Sequence, residues 1–174
     1  MSIGSLKSAV ETVLLQGCGL LNAVSQEQYV GREVGQNTAS LGAHYRHVLD
    51  HFSCLLEGIE SGQINYDERR REAKLENSME AARAATQDLI ARFRGLPLDY
   101  LERRCTVAYS VGYGESEAQA IDSNVARELM FCVGHAIHHF AILKLLCAAI
   151  PVRLPYEFGV APSTLKHLEA QAGA

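Results

Sequence analysis

The sequence predicts an all-α protein, a four-helix bundle with a small β-hairpin inserted before the last bundle helix. Three observations predict it. Four segments repeat apolar residues at three- and four-residue steps, and a short stretch after Pro97 switches to alternation. The last long segment, ELMFCVGHAIHHFAILKLLCAAI over 128–150, is apolar on almost every side and stops at Pro151. Helices carry a period of 3.6 residues and strands a period of 2, so the change of step marks the change of element. A chain of 174 residues is long enough to bury a substantial core, and one domain over 1–174 is the expectation.

Leu6, Val10, Val13, Leu14, Gly17, Leu20, Leu21 and Val24 make the stripe of a first helix of about five turns. Gly31, Gly35 and Asn37 then mark a polar connection, and Thr38 or Ser40 can cap a second helix. Its buried stripe is Leu41, Tyr45, Val48, Phe52, Leu55 and Ile59, and Gly58 and Gly62 end it. A stretch dense in both charge signs follows over 63–76. Asn77 with Glu80 suggests a capping box opening a third helix that runs to about Phe93. Cys105, Val107 and Tyr109 alternate, VGYGES supplies a turn, and 115–122 returns as the second strand of a hairpin. Ser123 can cap the fourth long helix, and Ser163 a short one in the tail. Long connections after the second and third helices complete the bundle pattern, and such bundles place metal sites between facing helices.

Composition narrows the function. Hydrophobic residues at 48% and charged residues at 21% are ordinary for a globular protein, and a net charge of -4 gives no electrostatic reason to expect nucleic acid. Five cysteines without zinc-knuckle or CxxC spacing read as reduced packing residues of a cytoplasmic protein. LQGC over 15–18 resembles a lipoprotein cleavage site but falls inside an amphipathic helix, and no signal-peptide pattern precedes it. The stretch 128–150 is long enough to cross a bilayer. Three histidines and Lys144 within it would be costly in lipid, so a buried bundle helix is expected and no membrane partner.

Six of the seven histidines fall in two helical windows: His44, His47 and His51 on the second helix, His135, His138 and His139 on the last. Positions four apart stack on one helix face, so His135 and His139 project together and make half of a metal site. Imidazole suits zinc, nickel, copper or iron. Periodicity does not select the third ligand. Against the apolar stripe, His44 and His51 lie nearer the core than His47.

LGAHYRHVLDHF, followed much later by ARELMFCVGHAIHHFAIL, resembles the DinB-like family, also called damage-inducible or YfiT-like, of metal-binding four-helix bundles. The resemblance runs through nearly the whole chain in its order of elements. It implies a helix-two ligand in an HxxD context, which is His47 with Asp50 as the acidic position. It implies His135 and His139 as the other two ligands, and places His138 outside the ligand set. The cofactor implied is a divalent transition metal, zinc or nickel.

Other residues near this set have a chemical reading and a simpler one. Glu128, seven before His135, is the one nearby general-base candidate, or an orienter of a ligand imidazole; a helix-start acid matched to the macrodipole is the simpler role. Cys132 is a fourth-ligand candidate, or a small buried packing residue. His44 and His51 line the pocket or support the ligands, or are boundary residues satisfied by water. Asp50 orients His51 or a bound water, or is an exposed helix carboxylate. Tyr66, Asp67, Arg69, Arg70 and Arg71 suggest an anion site, but the interleaved Glu68, Glu72 and Glu76 favour internal ion pairs. Tyr109, Tyr113 and Arg127 are candidates for a substrate pocket beside the hairpin.

Two functions of different classes follow. In the first, the three imidazoles hold a metal that activates a water or a thiol. Characterised members of the family include thiol-dependent transferases and isomerases, so the resemblance implies S-transfer or hydrolysis of a small molecule with a low-molecular-weight thiol as partner. In the second, the bundle binds metal or a small molecule without catalysis, in stress response. A homodimer is expected by analogy with similar bundles.

Overall fold

The computed structural model describes residues 3–31, 39–110, 112–113 and 119–173. Gly35, Asn37, Thr38 and residues 111 and 114–118 of the predicted turn and returning strand lie outside them. Four long helices form the bundle: α1 (Ile3–Ala23), α3 (Leu41–Ser61), α5 (Met79–Gly95) and α6 (Val125–Cys147). Shorter helices α2 (Gln26–Val30), α4 (Ala73–Asn77) and α7 (Pro162–Ala172) lie between and after them. Helix α1 packs on α5 and α6, and α3 packs on the same two, so α1 and α3 stand diagonally across the bundle. The periodic stripes read from the sequence are the core. All six residues of the α3 stripe are buried, and Val10, Val13, Leu14, Leu20 and Leu21 of α1, with Val24 just after it, join them.

The caps differ in three places. Ser40 caps α3 as one of the two alternatives allowed, its Oγ accepting from the Ala43 amide at 3.0 Å. Helix α5 is capped by Ser78 and not Asn77: the Ser78 hydroxyl accepts from the Ala81 amide at 3.2 Å, while Asn77 ends α4 and donates its side-chain amide to the Ala73 carbonyl. Helix α6 is capped by Asn124 and not Ser123, through Asn124 Oδ1 and the Arg127 amide at 2.9 Å. The Ser123 hydroxyl donates to Glu128 instead, at 2.6 Å. In the tail, Pro162 opens α7 behind Ala161, so Ser163 is already inside the helix. A serine, threonine or asparagine next to a helix start competes with its neighbour for one amide, and spacing alone leaves the winner undecided by a residue.

The hairpin is one edge of a three-stranded sheet. Strand β2 (Arg104–Tyr109) pairs antiparallel with β3 (Gln119–Asn124), and β1 (Gln63–Asn65) adds in parallel on the far side of β2. Gly62, in the left-handed region at φ 70°, ends α3 and turns the chain directly into β1. Three residues are too few to show a period, which is why β1 is hidden in the charged stretch. The sheet closes one end of the α3–α6 pair, and Ile64, Cys105 and Val107 bury against it.

Helix α6 is the one described helix long and apolar enough to cross a membrane by length and composition. It packs into the bundle through Leu129, Cys132, Ala136, Phe140 and Leu143, and it carries a buried glutamate. Gly42, near the start of α3, lets that helix pass close to α4. A β-carbon there would stand 2.1 Å from the Glu76 carbonyl oxygen and 2.8 Å from the Tyr29 ring.

Candidate metal centre

Helices α3 and α6 face one another, and their histidines meet at that seam. The ligand nitrogens of His47, His135 and His139 all lie within 4.8 Å of one another. His47 Nε2 and His135 Nε2 are 2.9 Å apart. Nitrogens around a tetrahedral zinc are roughly 3.3 Å apart at ordinary zinc–nitrogen distances. One pair already stands inside that separation, and the third nitrogen lies within 4.8 Å of both. The residues present therefore fit a divalent metal.

Two further imidazoles complete the cluster. His44 Nδ1 lies 3.1 Å from His139 Nδ1, so one ring donates to the other. His51 is buried and donates from Nδ1 to the His47 carbonyl, one turn earlier, at 2.8 Å. Its ring centroid is 4.2 Å from that of His135 and 4.5 Å from that of His47. His138 is exposed and is not one of the three converging imidazoles, although its ring centroid is 5.5 Å from that of His139. His47 lies on the flank of α3 that faces α6, whereas the apolar stripe is centred on the bundle axis. A ligand set on a flank is what periodicity could not select.

Burial keeps these imidazoles neutral. Desolvation, followed by repulsion from the neighbouring rings and the Arg69 guanidinium, pulls His135 from the ordinary 6.5 to about 4. Desolvation also brings His51 and His139 to about 4, and it drives His47 lower still with help from His51, His139 and His135. Neutral imidazole is the metal-binding form.

A pH prediction arises here. Between about pH 6.5 and 4 the unfolded chain binds protons at these histidines and the folded chain does not, so metal-free stability falls as pH drops through that window. Asp50, raised by burial against the opposing pull of Arg46, works the other way, but it is one group against five, because burial lowers His44 too. Thermal unfolding of chelator-treated protein at pH 7, 6 and 5 should show a falling Tm. A constant Tm over that range would mean that the rings are freely solvated.

The remaining candidates sort by contact. Glu128 is buried, with 1% of its surface exposed, so it is more than a solvated helix-start acid. Its carboxylate accepts from the Tyr66 hydroxyl at 3.0 Å, the Ser123 hydroxyl at 2.6 Å and Arg127 Nη1 at 3.1 Å, and none of these is an imidazole. Cys132 is a packing thiol beside Tyr66, pushed up to about 12 by burial and therefore protonated. Asp50 is a buried carboxylate paired with Arg46 at 2.8 Å, not an exposed one. Arg70 pairs with Glu57 at 3.1 Å, and Asp67 accepts from the Ser110 amide at 2.7 Å, so internal pairing accounts for much of the charged stretch. Arg69 Nη1 donates to the Tyr66 carbonyl, while its Nε is buried without a partner among the described residues. Tyr113 is fully exposed.

Two aromatic rings belong to the site that sequence reasoning had not placed there. Phe131 stacks on His135 at 5.6 Å, and Tyr66 stacks on His51 at 5.3 Å. Phe131 carried a signal, since it lies four residues before His135 on the same helix face. Tyr66 carried none, because it sits in a 3-10 turn held by Asn65.

The sequence profile of the DinB superfamily matches residues 19–143. The chain belongs to the DinB superfamily. That match runs from α1 through α6 and contains both histidine windows and the sheet. Among curated proteins, this DinB chain is 32% identical over 108 residues to FK506-binding protein 5 of Rhizopus delemar. The alignment covers 62% of this chain and 28% of that protein, so the chain spans little more than a quarter of its relative's length. No solved structure matches the chain.

Proposed function

We propose that this DinB protein is a metal-dependent enzyme in which His47, His135 and His139 hold a divalent transition metal, zinc or nickel, and a small molecule reacts beside them by S-transfer or hydrolysis. The observation that supports this reading is the meeting of three neutral imidazoles from two facing helices, with ligand nitrogens no more than 4.8 Å apart. When bound, such an ion supplies Lewis-acid chemistry, making a water or a thiol acidic enough to react near neutral pH.

The chain's own residues set the conditions. Their depressed basicity keeps the three rings ready to bind without first losing a proton. The Nδ1–Nδ1 hydrogen bond between His44 and His139 restrains the His139 ring, and with His139 as the donor its other nitrogen is the one left for a metal. His51, tied to the His47 carbonyl, fills the space beside His47 and His135. Phe131 and Tyr66 cover His135 and His51 and keep water from that side. In this reading Glu128 works through Tyr66: it anchors the hydroxyl, and with it the ring that stacks on His51.

The test is a screen of metal-loaded protein with cysteine or glutathione and an alkylating electrophile, alongside hydrolysable esters. A rate at least tenfold above that of chelator-treated protein, lost in His47→Ala, is the expected result. Metal binding without any thioether or hydrolysis product would instead favour the non-catalytic binding module.

A further inference from the structure

We propose that a cleft between the sheet and the first turns of α6 is a binding site for a small, flat, uncharged molecule carrying one hydrogen-bond acceptor, such as an aryl ketone. The cleft has a volume of about 200 Å³; its apolar lining is Tyr66, Val107, Tyr109, Ile121 and Phe131, and Gln119, Arg127 and Glu128 are its polar members. A dry apolar cavity of roughly 150 Å³ accepts one benzene ring, so this space suits a single ring with a short substituent.

The register explains why the cleft is apolar. Cys105 pairs with Ser123, Val107 with Ile121, and Tyr109 with Gln119. Residues two apart on paired strands share one sheet face, so these six side chains point the same way. At the Cys105 end that face is covered. Cys105 and Val107 are each 5% exposed, whereas Tyr109 is 48% and Ile121 61% exposed. An isoleucine and a tyrosine aligned with buried neighbours but left open continue the core-facing surface outward, and open apolar surface of this kind marks binding sites.

The charges choose the occupant. Glu128 has both carboxylate oxygens engaged, and its charge is balanced by Arg127, whose guanidinium also lies 5.6 Å from the Phe131 ring centre. The pair is neutral overall, so it favours neither an anion nor a cation. One Arg127 nitrogen is held by Glu128 while the side chain stays 60% exposed, which leaves N–H donors for a carbonyl at the rim. Tyr66 and Phe131 are also the rings that stack on His51 and His135, so a ligand here lies one ring away from the imidazoles. The cleft itself needs no metal.

The experiment is a methyl-detected NMR titration with acetophenone, benzoate and benzylamine, following Val107 and Ile121. It is run on the metal-loaded protein and on His47→Ala. Acetophenone should give saturable shifts at both methyl positions in both proteins, with benzoate and benzylamine at least fivefold weaker. Arg127→Leu should weaken acetophenone at least threefold, and Ile121→Asp, at an exposed strand position, should abolish binding with the fold retained. Absent or unsaturable shifts, equal affinity for all three probes, or binding that needs the metal would each overturn the cleft proposal. Acetophenone binding to a protein that takes up no metal would leave the cleft standing and sink the metal reading.

Discussion

Replacing His47 with alanine should lower zinc or nickel affinity by more than about 100-fold while the bundle stays folded. Loss of an outer-shell partner alone costs a metal site about 10–100-fold, and His47 belongs to the proposed ligand set itself. Its Nε2 lies 2.9 Å from that of His135, and it is the one member of the three that α3 supplies. The side chain is half-buried on the helix flank, so its truncation removes little of the packed core. His138→Ala is the control: that ring is exposed and lies outside the cluster, and affinity should change by less than about twofold. Competition against a chromophoric chelator measures both. The assignment of ligands fails if the two variants lose metal equally.

Phe140→Ala should be the most destabilising of the substitutions considered. The ring is fully buried and stacked between Tyr45 of α3, at 6.3 Å, and Phe158 of the tail, at 5.0 Å, with both partners nearly parallel to it. Truncating a buried phenylalanine costs about 3–5 kcal/mol from lost burial and the cavity left behind. At roughly 2–4 °C per kcal/mol for a chain of this size, Tm should fall by about 6–20 °C. Denaturant unfolding gives the free energy directly. A loss below about 1 kcal/mol would mean that the three rings do not form a packed stack. Phe140 follows His139 immediately, so this stack also holds the ligand-bearing part of α6 against α3.

The bundle was legible in the sequence because its signal is repeated. The stripes of α1 and α3 run over five or six turns, and the six stripe residues of α3, from Leu41 to Ile59, are buried as the period requires. Short elements lack that redundancy. Strand β1 has three residues, α2 and α4 have five each, and a cap is decided by one hydrogen bond, so Ser78 and Asn124 hold the positions expected of Asn77 and Ser123. At the site, the pair on α6 was visible from its spacing of four. The partner on α3 was not, because His44, His47 and His51 span a wide arc and only the approach of α6 shows which flank matters. The family motif supplied His47, and the structure places it with His135 and His139. The contributions of Tyr66, and of His44 to His139, depend on contacts across 62 to 95 residues of chain, and no local pattern encodes them.

His47, His135 and His139 are proposed to hold one divalent transition metal between them. X-ray absorption spectroscopy on protein purified without a histidine tag and loaded with zinc or nickel tests it most directly. The expected result is one ion per chain, a first shell of nitrogen and oxygen only, and outer-shell scattering from three imidazoles that drops to two in His47→Ala. A sulfur scatterer in the first shell, or an imidazole count that His47→Ala leaves unchanged, would contradict it.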